Sequence, residues 1–170
     1  MGGLITVRTL QDAPEHGLAG AIISNPCLGV AVEAPKLKVA AAKLLGKLLP
    51  KLRLDNELKV EDICRAADVV EAYQADPLVH SKISSRWYTS LLEAMASANQ
   101  QSDRINVPTL WLLSGQDAIC DTQVARTMAA ALEQKETTVH NFPDAYHEAH
   151  NGPDKEQLKA GVVAWLEEQL

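Results

Sequence analysis

Val107-Pro108-Thr109-Leu110-Trp111-Leu112-Leu113, running straight into Ser114-Gly115-Gln116-Asp117, decides how the rest of the chain is read. A short apolar run that ends in glycine and aspartate reads as a buried strand emptying into a turn. Upstream, Leu18-Ala19-Gly20-Ala21-Ile22-Ile23-Ser24, bounded by Gly17 and Asn25-Pro26, predicts a strand buried on both faces. Downstream, Thr137-Thr138-Val139-His140-Asn141 is a weaker strand leading to Ala145-Tyr146-His147-Glu148.

Helical patterns separate these strands. Leu4, Val7 and Leu10 recur at helical spacing with Arg8, Gln11 and Asp12 opposite, and the stretch 14–17 punctuates that opening helix. A second helix is expected from about Thr122 to Gln134, with Asp121 as its cap, and a last one from about Asp154 to Leu170, with Leu158, Val162, Trp165 and Leu166 on one face. Strands alternating with helices imply an α/β fold with a parallel sheet and right-handed crossovers. No internal repeat is visible.

Residues 33–101 break the alternation and read as a helical insertion. From Pro35 to Leu52, Lys36, Lys43, Lys47 and Lys51 fall on one side of a helix and Leu37, Leu44, Leu45, Leu48 and Leu52 on the other, with Pro50 marking its end. A short helix from Asp68 to Ala75 stops at Asp76-Pro77. A longer one, from Ser84 to Asn99, carries Leu91, Leu92 and Met95 and has a serine to cap it. The chain thus divides into an opening helix and core strand (1–32), the insertion (33–101), and a C-terminal part with strands and helices (102–170).

Composition narrows the function classes. With 170 residues, 46% of them hydrophobic, there is material for one domain with a sizeable core. A net charge of −6 and 4% aromatic residues argue against a nucleic-acid surface, which needs a clustered basic footprint. Cys27, Cys64 and Cys120 are odd in number and widely spaced, so neither a disulfide framework nor a Cys-x-x-Cys metal site is signalled, and a reducing cytoplasm is expected. No apolar run is long enough to cross a bilayer, and the first ten residues lack the pattern of a secretory signal. Membrane contact, if any, is then peripheral.

Loops converge beyond the carboxyl ends of strands in a parallel sheet, and both Asp117 and His147 are expected there. An ionised aspartate accepting the histidine Nδ1–H fixes its tautomer and leaves Nε2 to move a proton. Taken singly, each has a bland reading as turn chemistry or surface histidine. Their shared placement, acid before base in chain order, favours a functional pair. His150 lies three residues beyond His147, but nothing else completes a metal site, so no metal and no organic cofactor is expected; His16, His80 and His140 carry no motif.

Ile22-Ile23-Ser24-Asn25-Pro26, Leu37-Lys38-Val39-Ala40-Ala41-Ala42-Lys43-Leu44-Leu45 with Leu49-Pro50, Ala75-Asp76-Pro77-Leu78-Val79 and Ile105-Asn106-Val107-Pro108-Thr109-Leu110 carry a family resemblance. Its most specific parts are Gly115-Gln116-Asp117-Ala118-Ile119-Cys120-Asp121 and Ala145-Tyr146-His147-Glu148. Through them nearly the whole chain resembles the C-terminal part of the monoacylglycerol lipase and lysophospholipase branch of the α/β-hydrolase fold. The nucleophile elbow of that branch reads Gly-His-Ser-Met-Gly-Gly, and this chain opens Met1-Gly2-Gly3.

The resemblance implies a serine nucleophile immediately before Met1, Asp117 as acid, His147 as base, and the Met1 backbone N–H as one oxyanion donor. The second donor and the first strands of the sheet belong to an N-terminal part of the hydrolase, which is the expected partner of this segment. Without serine and full oxyanion hole the segment alone is expected to be inactive, and its first strand to expose an unpaired edge. The insertion becomes a cap over the site, and Pro26, Leu28, Leu45 and Cys120 are the residues expected to line the substrate, although a small buried hydrophobe is the plain reading of Cys120.

The expected reaction is release of a fatty acid from monoacylglycerol or a lysophospholipid through an acyl-enzyme. The cap's leucines and lysines suit reversible contact with a lipid surface, against the plainer reading that the leucines pack on the core. Rival readings are a non-catalytic fragment or pseudoenzyme that serves as a binding module, a general esterase, and a dehalogenase or epoxide hydrolase should the nucleophile be aspartate.

Overall fold

The computed structural model describes residues 1–13, 15, 17–32, 35–132 and 136–169, without the side chains of Lys36 and Lys38. His16, Gln134 and Leu170, named above, lie outside the described residues, as does the start of the insertion at residues 33–34.

Three parallel strands form the sheet: β1 (Ala21–Ser24), β4 (Thr109–Ser114) and β5 (Thr137–Phe142), with β4 in the middle. Ile23 pairs with Trp111, and Trp111 with Val139. All six residues of β4 are buried, because side chains alternate between two covered faces. On one side Ile23, Trp111 and Leu113 pack with Leu4, Val7 and Leu10 of α1 (Gly2–Asp12), Met95 and Ala98 of α4 (Ser85–Gln100), and Ala125, Met128 and Ala129 of α5 (Thr122–Ala131). On the other side Leu110, Leu112 and Phe142 meet Leu158, Val162 and Trp165 of α6 (Lys155–Glu168). The result is a helix, sheet, helix sandwich, the layered solution for elements that each bury one face.

β1 is an edge strand of this sheet among the described residues, but it is not buried on both faces as its apolar run predicts: Ile22 is 37% exposed. Only the Ile23 face is covered, by α1.

Between β1 and β4 the chain is not purely helical. Besides α2 (Lys36–Leu48) and α3 (Ala67–Ala75), it contains an antiparallel pair, β2 (Arg53–Asp55) with β3 (Lys82–Ser84). Asp55 fastens that pair: its carboxylate accepts from the Glu57 amide (2.9 Å), the Ser81 hydroxyl (2.7 Å) and the Lys82 ammonium (3.1 Å), which hold its pKa down at about 2. Ser84 caps α4 by accepting from the Trp87 amide at 3.1 Å.

Three leucines of the amphipathic helix face outward and do not pack on the core, the plainer of its two readings. α2 ends at Leu48, and Leu37 (83%), Leu44 (58%) and Leu48 (68%) are exposed, while Ala42 and Gly46 face α4. Leu52, on the following turn, is exposed as well. The reason is backbone proximity. A Cβ on Gly46 would stand 2.8 Å from Thr89 Oγ1, and the buried Ser85 hydroxyl donates to the Leu49 carbonyl at 2.6 Å. Two helices this close accept only small side chains between them, so the leucines take the other face.

Candidate active site

The two strand exits that matter are cross-linked through the backbone. Gly115 N–H donates to the Phe142 carbonyl (2.8 Å) and Gln116 N–H to the Ala145 carbonyl (3.0 Å), which locks the loop after β4 onto the loop after β5. A Cβ at Gly115 would come within 2.2 Å of the Pro143 carbonyl oxygen, so only glycine fits this approach. Asp121 then starts α5 by accepting from the amides of Gln123 and Val124, and Thr122 Oγ1 donates back to the Ser114 carbonyl at 2.8 Å.

Asp117 and His147 meet inside this frame. Asp117 Oδ2 and His147 Nδ1 are 2.8 Å apart, with the aspartate side chain 1% exposed and the imidazole 22%. The other oxygen, Oδ1, accepts from the amides of Ile119 and Cys120, each at 2.9 Å. Three hydrogen bonds to this buried carboxylate fix its orientation. His147 Nε2 has no hydrogen-bond partner among the described residues, which leaves it available to a substrate-side group.

Residues 1–154 match the family model Hydrolase_4, described as Serine aminopeptidase, S33. The chain belongs to that family of α/β-hydrolases. It is 29% identical over 171 residues to Phospholipase YtpA of Bacillus subtilis, covering 100% of this chain and 66% of that protein. It is 27% identical over 170 residues to the monoacylglycerol lipase of Mycolicibacterium smegmatis, covering 99% and 60%. Among solved structures it superposes on the Paleococcus ferrophilus monoacylglycerol lipase with a TM-score of 0.91 at 32% identity, covering 99% of this chain and 65% of that one. The chain spans about two thirds or less of the length of these relatives.

The other residues singled out in this hydrolase chain scatter. Met1 is 55% exposed and precedes α1, its carbonyl accepting from Leu4 and Ile5. Gly3 touches Pro26, since a Cβ there would lie 2.8 Å from Pro26 Cα, so the first turn of α1 sits against the exit of β1. Pro26 and Leu28 are fully buried, and Leu28 belongs to the core cluster. Leu45 is half-buried where α2 meets α4, not beside Asp117. Cys120 is both core and site: its sulfur, an Asp117 oxygen and a His147 ring nitrogen lie within 4.8 Å of one another, a set that does not include His150. An open groove of about 550 Å³ between α1 and α4, lined by Met1, Ile5, Trp87 and Leu91 among others, includes neither Asp117 nor His147.

Asn25 is the site residue that the sequence reading passed over. Buried to 5% exposure, it donates from Nδ2 to the Ser114 hydroxyl (2.7 Å) and to the His147 carbonyl (2.6 Å), and its Oδ1 accepts from the Ser114 amide (2.8 Å). One amide thereby ties the exits of β1 and β4 to the histidine loop. Its backbone sits at φ 38°, in the left-handed region that asparagine enters more readily than other non-glycine residues. The signal was present: an Asn-Pro pair closing a strand is more than punctuation when the amide can reach two neighbouring exits.

Proposed function

We propose that Asp117 and His147 are the acid and base of a serine carboxyl-ester hydrolase that releases fatty acid from monoacylglycerol or a lysophospholipid. The nucleophilic serine stands one position before Met1, outside these 170 residues. The observation that carries this reading is the 2.8 Å contact between a buried, triply bonded aspartate and His147 Nδ1, with Nε2 left open.

In this reading Nε2 takes the serine proton as the hydroxyl oxygen attacks the ester carbonyl, and Asp117 stabilises the imidazolium that forms. The Met1 backbone N–H then points to the developing oxyanion. His147 returns the proton to the leaving glycerol or glycerophospho group, and water, activated by the same nitrogen, frees the acid from the acyl-enzyme. The packing of Gly3 on Pro26 supports a nucleophile at the start of α1, because it sets that helix end against the exit of β1, which Asn25 ties to Ser114 and to the His147 loop. The 170 residues by themselves are expected to show no turnover, and their partner is the N-terminal part of the same hydrolase.

The substrate class follows the lipases and the phospholipase that the chain is similar to, and the face of α2 agrees with it. Exposed Leu37, Leu44 and Leu48, with Lys43 and Lys47 beside them, suit reversible contact with an anionic lipid surface, where the ester would be met. Residues 33–101 are in this reading the cap.

A product assay on the full-length protein tests the proposal. Incubation with monoacylglycerol and with lysophospholipid micelles should release free fatty acid, and a fluorophosphonate should block release and label one serine. Hydrolysis that survives complete labelling, or labelling with no lipid ester cleaved, would overturn it.

A further inference from the structure

Cys27 and Cys120 lie on two segments held side by side just past β1 and β4. The Ala31 amide donates to the Ile119 carbonyl (3.1 Å), the Asp121 amide to the Gly29 carbonyl (3.0 Å), and Val30 and Cys120 form an isolated antiparallel bridge. Both thiols are buried and free within one core cluster, close enough to bias each other's protonation. The same Cys120 sulfur borders Asp117 and His147, as described above. Cys64, the remaining cysteine, sits elsewhere, against the Glu148 carbonyl.

The two thiols are not equivalent. The hydrogen bond from Cys120 holds the Cys27 thiol below the usual range against the opposing effect of burial, with the charge of His147 adding to it and that of Asp117 opposing. The same bond and burial push the Cys120 thiol up. Of the two, Cys27 is thus the more readily ionised, and Cys120 the one that holds its proton.

We propose that Cys27 and Cys120 form a modification site, a dithiol that reacts with hydrogen peroxide and closes to an intramolecular disulfide beside Asp117 and His147. The Cys27 thiolate attacks one peroxide oxygen; the O–O bond breaks, and the released hydroxide takes a proton to leave as water. The Cys120 sulfur then attacks the Cys27 sulfenic acid, and the S–OH bond breaks as the S–S bond forms. The proton lost by Cys120 goes to the departing oxygen, giving a second water. In sum, two thiols and one peroxide become one disulfide and two waters.

Closure reaches the site through the Cys120 peptide, whose N–H is one of the donors that hold Asp117 Oδ1. Drawing the sulfurs to the ~2.05 Å of a disulfide displaces that peptide and with it the acid. This effect on turnover rests on Asp117 and His147 acting as proposed above; the cross-link does not.

The test treats the full-length protein with a few equivalents of hydrogen peroxide and digests it without reduction. The expected result is a peptide pair joining Cys27 to Cys120, lighter by two hydrogens, with Cys64 still open to alkylation under denaturing conditions. Ester hydrolysis should fall at least about tenfold, as expected when a catalytic group is displaced, and return with dithiothreitol. Cys27→Ser should keep its basal turnover and lose both the cross-link and the peroxide effect. Cys27 and Cys120 recovered as free thiols, Cys27 found only as an unlinked sulfinate, a cross-link that leaves turnover unchanged, or an equal peroxide effect in Cys27→Ser would each overturn the proposal. If the untreated protein cleaves no ester, the hydrolase reading fails by itself, and the peptide mass still decides the dithiol.

Discussion

Asn25, Ser114 and Asp117 stand at strand exits with their polar groups buried and bonded, whereas Leu37, Leu44 and Leu48, on the next helix along the chain, stand in solvent. Polarity is thus inverted between the two regions. At the exits, geometry is fixed by hydrogen bonds that have no replacement in a dry interior, so a lost partner strands a buried group. On α2 it is fixed by backbone approach through Ala42 and Gly46, and the leucines hold nothing in place within the described residues. A side chain's hydrophobicity therefore says less about its burial here than the distance between the backbones around it.

The sharpest way to break the comparison is at the pair itself. Asp117→Asn keeps the volume but offers His147 an amide, which favours the wrong ring tautomer. We expect kcat for ester hydrolysis in the full-length protein to fall by roughly 10⁴-fold, with unchanged far-UV circular dichroism, in line with such amides in other triads. A loss below tenfold would show that Asp117 only supports the loop. Asn25→Ala comes next. It leaves the Ser114 amide and the His147 carbonyl without their partner, and should cost about 1–3 kcal/mol in urea unfolding. Because Asn25 positions His147 and does not touch the ester, kcat should drop more than KM rises. Wild-type stability and kcat would mean that water or a relaxed loop replaces the clamp.

How much of this was legible follows from the kind of force involved. The sheet could be read because 107–113 is apolar but for Thr109 and ends in turn chemistry, and the helices α1, α5 and α6 because their apolar residues repeat at helical spacing; Leu4, Val7, Leu10, Leu158 and Trp165 are indeed buried. Asp117 and His147 could be named because the chain order and the resemblance agree. Their contact, however, is made by Gly115 against Pro143 and by two amides donated across loops, which no periodicity encodes. Asn25 reads only as a strand terminator because its partners are about 90 and 120 residues away, a separation over which sequence pattern is silent. The two-stranded β2–β3 pair was missed for the same reason in miniature: three residues on each side are too few to show alternation.

α2 marks the limit of amphipathic reasoning and gives the smallest expected effects. A stripe of leucines defines a face, but the burial of that face depends on what the neighbour can accept. Here the neighbour offers Ser85 and Thr89 at a distance only Gly46 tolerates. Gly46→Leu should force α2 from α4 and destabilise by about 1–3 kcal/mol, as overpacking does. Leu44→Gln with Leu48→Gln, two changes from greasy to polar, should move stability by no more than about 0.5 kcal/mol each, since both sites are exposed. The same double variant should weaken flotation of the full-length protein with anionic liposomes. Unfolding of that variant at lower urea would mean the leucines are covered in the complete protein, and intact flotation would mean that α2 is not the surface that meets lipid.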